Sequence, residues 1–331
     1  MKSLPALPYH AWRDTRDTIH RWAQIVGKIR LALTPRINHW WNVTLYVSAR
    51  GLTTSAIPVA DRVLELEFDF IDDVLRIQTN DKPDQLVELR PRTVADFYAA
   101  TMTALRAAGI DCRIWTTPVE IENPIPFEHD REHRSYDRGS VQQFWQSVSR
   151  IQEVLTKFRA GFVGKCSPVQ LFWGTLDLAV TRFSGRRAPP FEGNAIDREA
   201  YSHEVISVGW WPGDHRFERA AFYSYASPEP PGFAQAAISP PHAYYFPALK
   251  GFYLDHDDVC HAADPEALLL DFFETTYAAA ADLGGWPRAD LERARPTSHT
   301  EEPHGDLYSS GDSRQQPAAD ERLRGVSAAR R

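Results

Sequence analysis

An arginine guanidinium holds a carboxylate or phosphate with two parallel hydrogen bonds, and two arginines of this chain stand where that chemistry could be used. In NHWWNVTLYVSARG, Arg50 shares a strand face with Asn42, Thr44, Tyr46 and Ser48, because strand side chains alternate with period two. Thr53, Thr54 and Ser55 continue the polar run. Such a face lines a polar cleft or faces water, as one side of an antiparallel sheet commonly does. In SPVQLFWGTLDLAVTRFSG, Arg182 lies instead beside Leu176, Leu178 and Val180. Trp41 stands nine positions before Arg50, and Trp173 nine positions before Arg182.

Acid-base chemistry has three candidates. In YSHEVISVGWW read as a strand, Tyr201 and His203 share one face while Glu204 points the other way with Ile206, Val208 and Trp210, so His203 and Glu204 cannot pair in one site. A carboxylate among apolar neighbours is pushed up in pKa unless it meets a cation. Arg182 is the expected partner of Glu204, either as a register-fixing ion pair or as part of a catalytic site. Asp177 shares a face with Trp173, Thr175, Ala179 and Thr181, a mixed face that suits a pocket or an edge.

Two clusters raise metal chemistry: Asp255, His256, Asp257, Asp258, Cys260 and His261 in LDHDDVCH, and Glu128, His129, Asp130, Glu132 and His133 in EHDREH. The second lacks the HExxH order, and both read better as acidic surface turns, so no metal site is assigned. No GxSxG elbow, P-loop or GxGxxG loop is present. Cys166 beside Lys165 reads as a small core residue ahead of an activated thiol. No cofactor is named by any of these patterns.

These residues are carried by 331 residues that are 43% hydrophobic and 12% aromatic, with 10 Trp, a globular composition. A net charge of -7 gives no general field for nucleic acid. Three scattered cysteines and the start MKSLPALPYHAW predict a reduced, cytoplasmic protein without a secretory leader. No apolar run approaches the ~20 residues of a membrane span. A small polar or anionic ligand is the expected partner, with no nucleic acid and no membrane, and the oligomeric state is open.

The elements repeat in order. Ile19, Trp22, Val26, Ile29 and Leu33 form one helical stripe with Arg21, Gln24, Lys28 and Arg30 largely outside it. RVLELEFDF, VLRIQTN and LVELRP follow as antiparallel strands, Val94 to Ala108 as a helix, and IDCRIW as a strand. Phe144 to Phe158 then begins a second series: a helix, strands near Val169 to Phe183, His203 to Trp211 and Phe217 to Tyr225, GFYLDH, and a helix from Pro265 to Leu283 capped by Asp264. The expected division is a first half at 1–116, a charged Pro-containing connection at 117–139, a second half at 140–287 and a disordered tail at 288–331.

The strings SPVQLFWGTLDLAVTRFSGR, REAYSHEVISVGWWPG and AFYSYASPEPPGF, with LPYHAWRDTRDTIHRWAQIVGKIRLAL and NHWWNVTLYVSARGLTTS, resemble a bacterial family known as domain of unknown function 5996. The resemblance spans the chain up to the tail and implies a bacterial protein. It brings no activity, cofactor or catalytic residue.

The reading is an α+β fold of two similar halves, each with amphipathic helices packed on a mainly antiparallel sheet, an order that suggests internal duplication. The leading function is binding of a small polar or anionic ligand in a cleft between the halves. Arg50, Arg182, Asn42, Ser48, Tyr46, Trp41 and Trp173 would hold it, and Glu204, His203 or Asp177 would move a proton if the protein is an enzyme. The alternative is a protein-interaction module without chemistry, using exposed tryptophans such as Trp40, Trp41, Trp210 or Trp211.

Overall fold

The computed structural model describes residues 3–293. The elements run α1 (Tyr9–Leu33), β1 (Tyr46–Val47), β2 (Gly51–Thr53), β3 (Ile57–Val59), β4 (Arg62–Asp69), β5 (Val74–Thr79), β6 (Lys82–Glu88), α2 (Val94–Ala107), α3 (Arg138–Ala160), β7 (Gln170–Phe172), β8 (Asp177–Arg187), α4 (Ala195–Ala200), β9 (His203–Trp211), β10 (Ala221–Ser227), β11 (Tyr244–Phe246), β12 (Gly251–Asp255), α5 (His256–Cys260), α6 (Pro265–Leu283) and α7 (Arg288–Leu291). This is the expected α+β architecture with two sheet halves.

Each half carries one six-stranded antiparallel sheet, ordered β1-β2-β4-β5-β6 with β3 on β4, and β11-β12-β10-β9-β8-β7. Strand alternation sorts the side chains. In the first sheet Leu66 opposes Ile77, and Phe68 opposes Leu75, which in turn opposes Val87, all on the buried face. In the second, Leu178, Trp210, Phe222 and Leu254 line up across four strands on the face covered by α3 and α6. The sheets meet at their edges, where Leu45 and Leu171 exchange two backbone hydrogen bonds of 2.9 and 2.8 Å. Residues from both halves join one core, with Trp12 stacked on Phe144 at 5.6 Å and Phe144 against Trp210 at 6.0 Å.

Several expectations are corrected in detail. The face of Asn42, Thr44, Tyr46, Ser48 and Arg50 does not exist as a continuous strand: β1 holds only Tyr46–Val47, and Arg50 sits in the turn before β2. Asn42 breaks the run by accepting a hydrogen bond from the Ile37 amide and donating to Thr34, which fixes a turn. Residues 169–183 form a hairpin with Trp173 in its turn, and IDCRIW runs as irregular chain. The Trp and Arg echo therefore falls on non-equivalent positions, since Arg182 lies in the middle of β8. Of the expected tail, residues 288–293 carry α7, with Leu291 accepting a bond from Val163; the rest lies outside the described residues.

Arg182 and Glu204 do not pair either. Arg182 is 1% exposed, stacks its guanidinium 3.4 Å from the Phe158 ring centre and 4.3 Å from that of Tyr277, and donates to the Phe158 carbonyl and to Glu274 at 3.2 Å. It thereby satisfies a carbonyl in the last turn of α3 and ties α3 to α6. Glu204 instead takes a bond from Ser184 at 2.7 Å and pairs with Arg186 at 2.7 Å. Arg50 is held at the surface by Asp69 at 2.5 Å and Asp72 at 2.7 Å. The two arginines thus have opposite consequences for stability. Arg182→Ala, which removes a buried cation and its stacking, is expected to cost about 3 kcal/mol, whereas Arg50→Ala, which leaves the buried Asp69 with Arg76 and two backbone amides, lowers the urea midpoint by less; equal midpoints for the two variants would contradict these placements.

Candidate functional site

The site begins on α1. Its apolar stripe is met by the core as expected, but its polar residues are also enclosed: Arg21, Gln24, Lys28 and Arg30 are all buried. Arg30 is enclosed by Asn42, Ser55 and Tyr46 of the first half, and what covers the other three is the segment that links the halves. Gln24 pairs with the backbone of Val119 in both directions, accepting from its amide at 2.9 Å and donating to its carbonyl at 2.8 Å. Lys28 donates to the carbonyls of Trp115, at 3.1 Å, and Thr117, and burial pushes its pKa down to about 8. Arg21 meets the wholly buried carboxylate of Asp130 at 3.3 Å. A helix face that the sequence presents as polar is therefore a clamp for irregular backbone, satisfying groups that would otherwise be buried without partners.

The same helix fixes the β7–β8 turn. Trp173 lies so close to Gly27 that a Cβ there would come within 2.2 Å of the indole, and its Nε1 donates to the Val43 carbonyl at 2.6 Å. His20 Nε2 meets the Gly174 carbonyl at 2.9 Å. Since a carbonyl only accepts, Nε2 carries the proton. Burial holds His20 neutral, with a pKa near 3.

These two clamped segments bring Glu120 near enough to Asp177 for the charge of Asp177 to act on its carboxyl. The Glu120 carboxyl lies over Gly174, where a Cβ would stand 2.4 Å from its Oε1, and the residue adopts a left-handed backbone with φ 57°, uncommon outside glycine. Solvent reaches Glu120, yet protein crowds its carboxyl. Desolvation raises its pKa to about 7, helped by the charges of Asp177 and Asp197 and opposed by Arg216. Asp177 is enclosed at the start of β8. It accepts from Thr175 and, at 2.5 Å, from the Tyr223 hydroxyl, but burial still pushes its pKa up.

Tyr223 reaches Asp177 by crossing β9 at Gly209, where a Cβ would fall 2.5 Å from the tyrosine hydroxyl. Only a residue without a side chain leaves that path open. Around it, the outer face of the second sheet carries Tyr225 and Tyr253, and Tyr201 folds back from the β8–β9 connection to approach the Tyr225 hydroxyl at 3.2 Å. Phe191 stacks on Tyr201 at 4.7 Å. The arrangement is a cluster of carboxyls and tyrosines on the outer face of the second sheet, in which one carboxyl has its pKa raised to about 7 and its neighbour is held by hydrogen bonds.

Of the residues singled out from sequence, this cluster uses Asp177, with Trp173 as its support. Trp41 and His203 lie elsewhere, each against the ring of His39. Asn42, Ser48 and Tyr46 serve the first half locally: Ser48 accepts from the Gly51 amide at 2.9 Å, and Tyr46 lies under Arg30 at 5.4 Å. Trp210 and Trp211 are buried, and the most exposed large aromatic among the described residues is Trp115, 77% exposed. Nothing in the sequence marks Glu120, which lies in the connection, where no periodicity gives a direction. The tyrosines carry a signal, alternation at Tyr223 and Tyr225, but alternation marks a strand and not the use of its outer face.

Other candidates fall away from chemistry. Burial raises the thiols of Cys112, Cys166 and Cys260 to about 11, away from the reactive thiolate. His256 bridges Trp210, at 3.1 Å, and the Pro5 carbonyl, at 3.0 Å, while Asp255 binds Tyr244. His133 is spent on Asp130 at 2.8 Å. Among the described residues no group of three His, Cys, Asp or Glu converges to hold a metal. An open groove by Asp14, Arg90, Arg92, Asp96 and Arg134 mixes both charge signs and contains no enclosed carboxyl.

Removing the Gln24 amide tests the clamp. Gln24→Leu strands both backbone groups of Val119 and is expected to cost about 2 kcal/mol, with faster hydrogen exchange at the Val119 amide; unchanged exchange there would show that the connection holds itself.

Among the described residues no helix is long and apolar enough to cross a membrane. Comparison with curated proteins finds no match, and none is found among solved structures. A family model described as a family of unknown function, DUF5996, matches residues 4–293, and the chain belongs to that family.

Proposed function

We propose that the cluster formed by Glu120, Asp177, Tyr201, Tyr223 and Tyr225 binds a small polar molecule bearing an amine. The observation that carries this reading is the placing of an exposed carboxyl within the field of an enclosed one, beside tyrosines joined to each other and to Asp177 by hydrogen bonds. Carboxylates attract an ammonium group, tyrosine faces add cation–π attraction, and partial exclusion of water strengthens both. The polar ligand expected from sequence is retained. An anionic one would meet Glu120, Asp177 and Asp197 with like charge and is not placed here. Asn42, Ser48, Tyr46, Arg50 and Arg182 are left to structural roles, because each is already engaged within the fold.

Glu120 also gives the cluster a proton-transfer group. Near neutral pH it is present in both forms, and a bound ammonium would favour its ionised form, releasing a proton to solvent. Binding of this class is read by thermal shift with butylamine and glucosamine against glucose and acetate. The amines are expected to raise the melting temperature in wild type and not in Glu120→Gln. Equal shifts in the variant, or stabilisation by acetate alone, would overturn the reading.

The raised pKa has its own consequence. A carboxyl that binds its proton more tightly in the folded chain than in the unfolded one, at about 7 against 4.5, makes the fold lose stability as pH rises between those values. Wild type should therefore weaken relative to Glu120→Gln from about pH 4.5 to about pH 7 and run parallel to it outside that window. Parallel unfolding curves across the whole range would show an unperturbed carboxyl.

A further inference from the structure

At the other end of the same sheet face, roughly 20 Å along β8 from Asp177, Lys165, Arg187 and His203 gather without an acidic partner. Residues 165–167 run beside β8, with the Phe183 amide donating to the Lys165 carbonyl at 3.0 Å, so Lys165 stands opposite Phe183. Its Nζ lies 4.7 Å from the Phe183 ring centre and 5.7 Å from that of Trp41. Arg187 pairs across the strands with His203, and the charges of Lys165 and Arg187 both act on the His203 ring. Among the described residues no salt bridge joins Lys165 or Arg187 to a carboxylate, and both are exposed.

His39 explains how the lysine is held. Its Nδ1 lies 3.1 Å from the carbonyls of both Glu199 and Ala200, which can only accept, so Nδ1 carries the proton. Its Nε2 therefore presents a lone pair, and Lys165 donates to it at 2.5 Å. Burial and the neighbouring ammonium keep His39 neutral, with a pKa near 4. The imidazole thus orients the lysine without cancelling its charge. Glu199, the acid whose main chain closes the site, turns its carboxylate away to Arg36. His203 sits 5.5 Å from His39, edge to face, with its Nδ1 3.1 Å from Ser202 Oγ.

A chain of net charge -7 has acids in excess, and leaving like charges together unpaired costs self-repulsion that a neutral residue would avoid. We infer that Lys165, Arg187 and His203 form a binding site for an oxyanion, the phosphate or carboxylate group of a small molecule, with Trp41 and Phe183 as its apolar wall. Lys165 contributes an oriented point charge and Arg187 a planar fork, the two complementary ways of holding such a group. The site joins Trp41 of the first half to His203 of the second, so both halves contribute to it. It is independent of the Glu120 cluster and of the amine reading.

The test is titration of the full chain at constant ionic strength with inorganic phosphate and, separately, acetate, following the ring resonances of His203 and His39. Saturable shifts are expected, with affinity weakened roughly tenfold in Lys165→Met, the loss of one charge-assisted hydrogen bond, largely restored in Lys165→Arg, and unchanged in Glu120→Gln. Response to phosphate alone identifies a phosphoryl group, and response to both identifies any oxyanion. No saturable shift with either anion, or equal affinity in Lys165→Met, overturns the proposal. Because Lys165 lies on the surface, the folded state of each variant is checked by its unchanged amide spectrum away from the site.

Discussion

The grip of α1 on the linking segment is the constraint from which the candidate cluster follows. Backbone that passes over a buried surface without regular structure needs a partner for each amide and carbonyl. The Gln24 side chain provides both for Val119, and Lys28 provides donors for Trp115 and Thr117. This fixes the segment within one residue of Glu120. The carboxyl then projects over Gly174, itself tied to α1 through His20. Two segments distant in sequence, one from the connection and one from the second half, are thus registered against the same helix. Their carboxyls repel and lose solvation as a result. The raised proton affinity of Glu120 is a consequence of that placement.

The second sheet uses its two faces differently. One face, through Leu178, Trp210, Phe222 and Leu254, is ordinary core beneath α3 and α6. The other begins apolar, with Ala179, Trp211 and Phe217, and carries Tyr223, Tyr225 and Tyr253, whose hydroxyls bring polarity onto an otherwise packed surface. Gly209 is the point at which this works, since the tyrosine must pass over β9 to donate to Asp177. The first sheet shows the contrast. Its outer face is paired internally, as in Arg50 with Asp69 and Ser48 with Glu67, and its charges offer each other what a ligand would otherwise supply.

Much of the architecture was legible because it rests on period. The stripe of Ile19, Trp22, Val26 and Ile29, the alternation of Leu64, Leu66 and Phe68, and the capped start of α6 at Asp264 all follow from local chemistry, and each marks an element that exists. The misread parts have tertiary causes. Asn42 and Ser48 looked like one strand face, yet both spend their side chains on turns. Arg182 looked like the partner of Glu204, but a fork on the inner face of β8 reaches α3 and α6, while Glu204 at the end of β9 is met by Arg186. Gln24 and Lys28 lie outside the apolar stripe, and nothing local announces that the connection will cover them. Glu120 was invisible for the same reason. The family match establishes kinship over residues 4–293 and leaves the chemistry to be read from these contacts.

If Glu120 and Asp177 form one charge-coupled pair, removing one charge moves the titration of the other. Carbon-13 NMR titration of the Glu120 side-chain carboxyl in wild type and in Asp177→Asn reads this coupling. A midpoint near 7 in wild type that moves down when the neighbouring charge is removed is the predicted result. A midpoint at an ordinary carboxylate value in both proteins would mean that the two carboxyls are neither desolvated nor coupled.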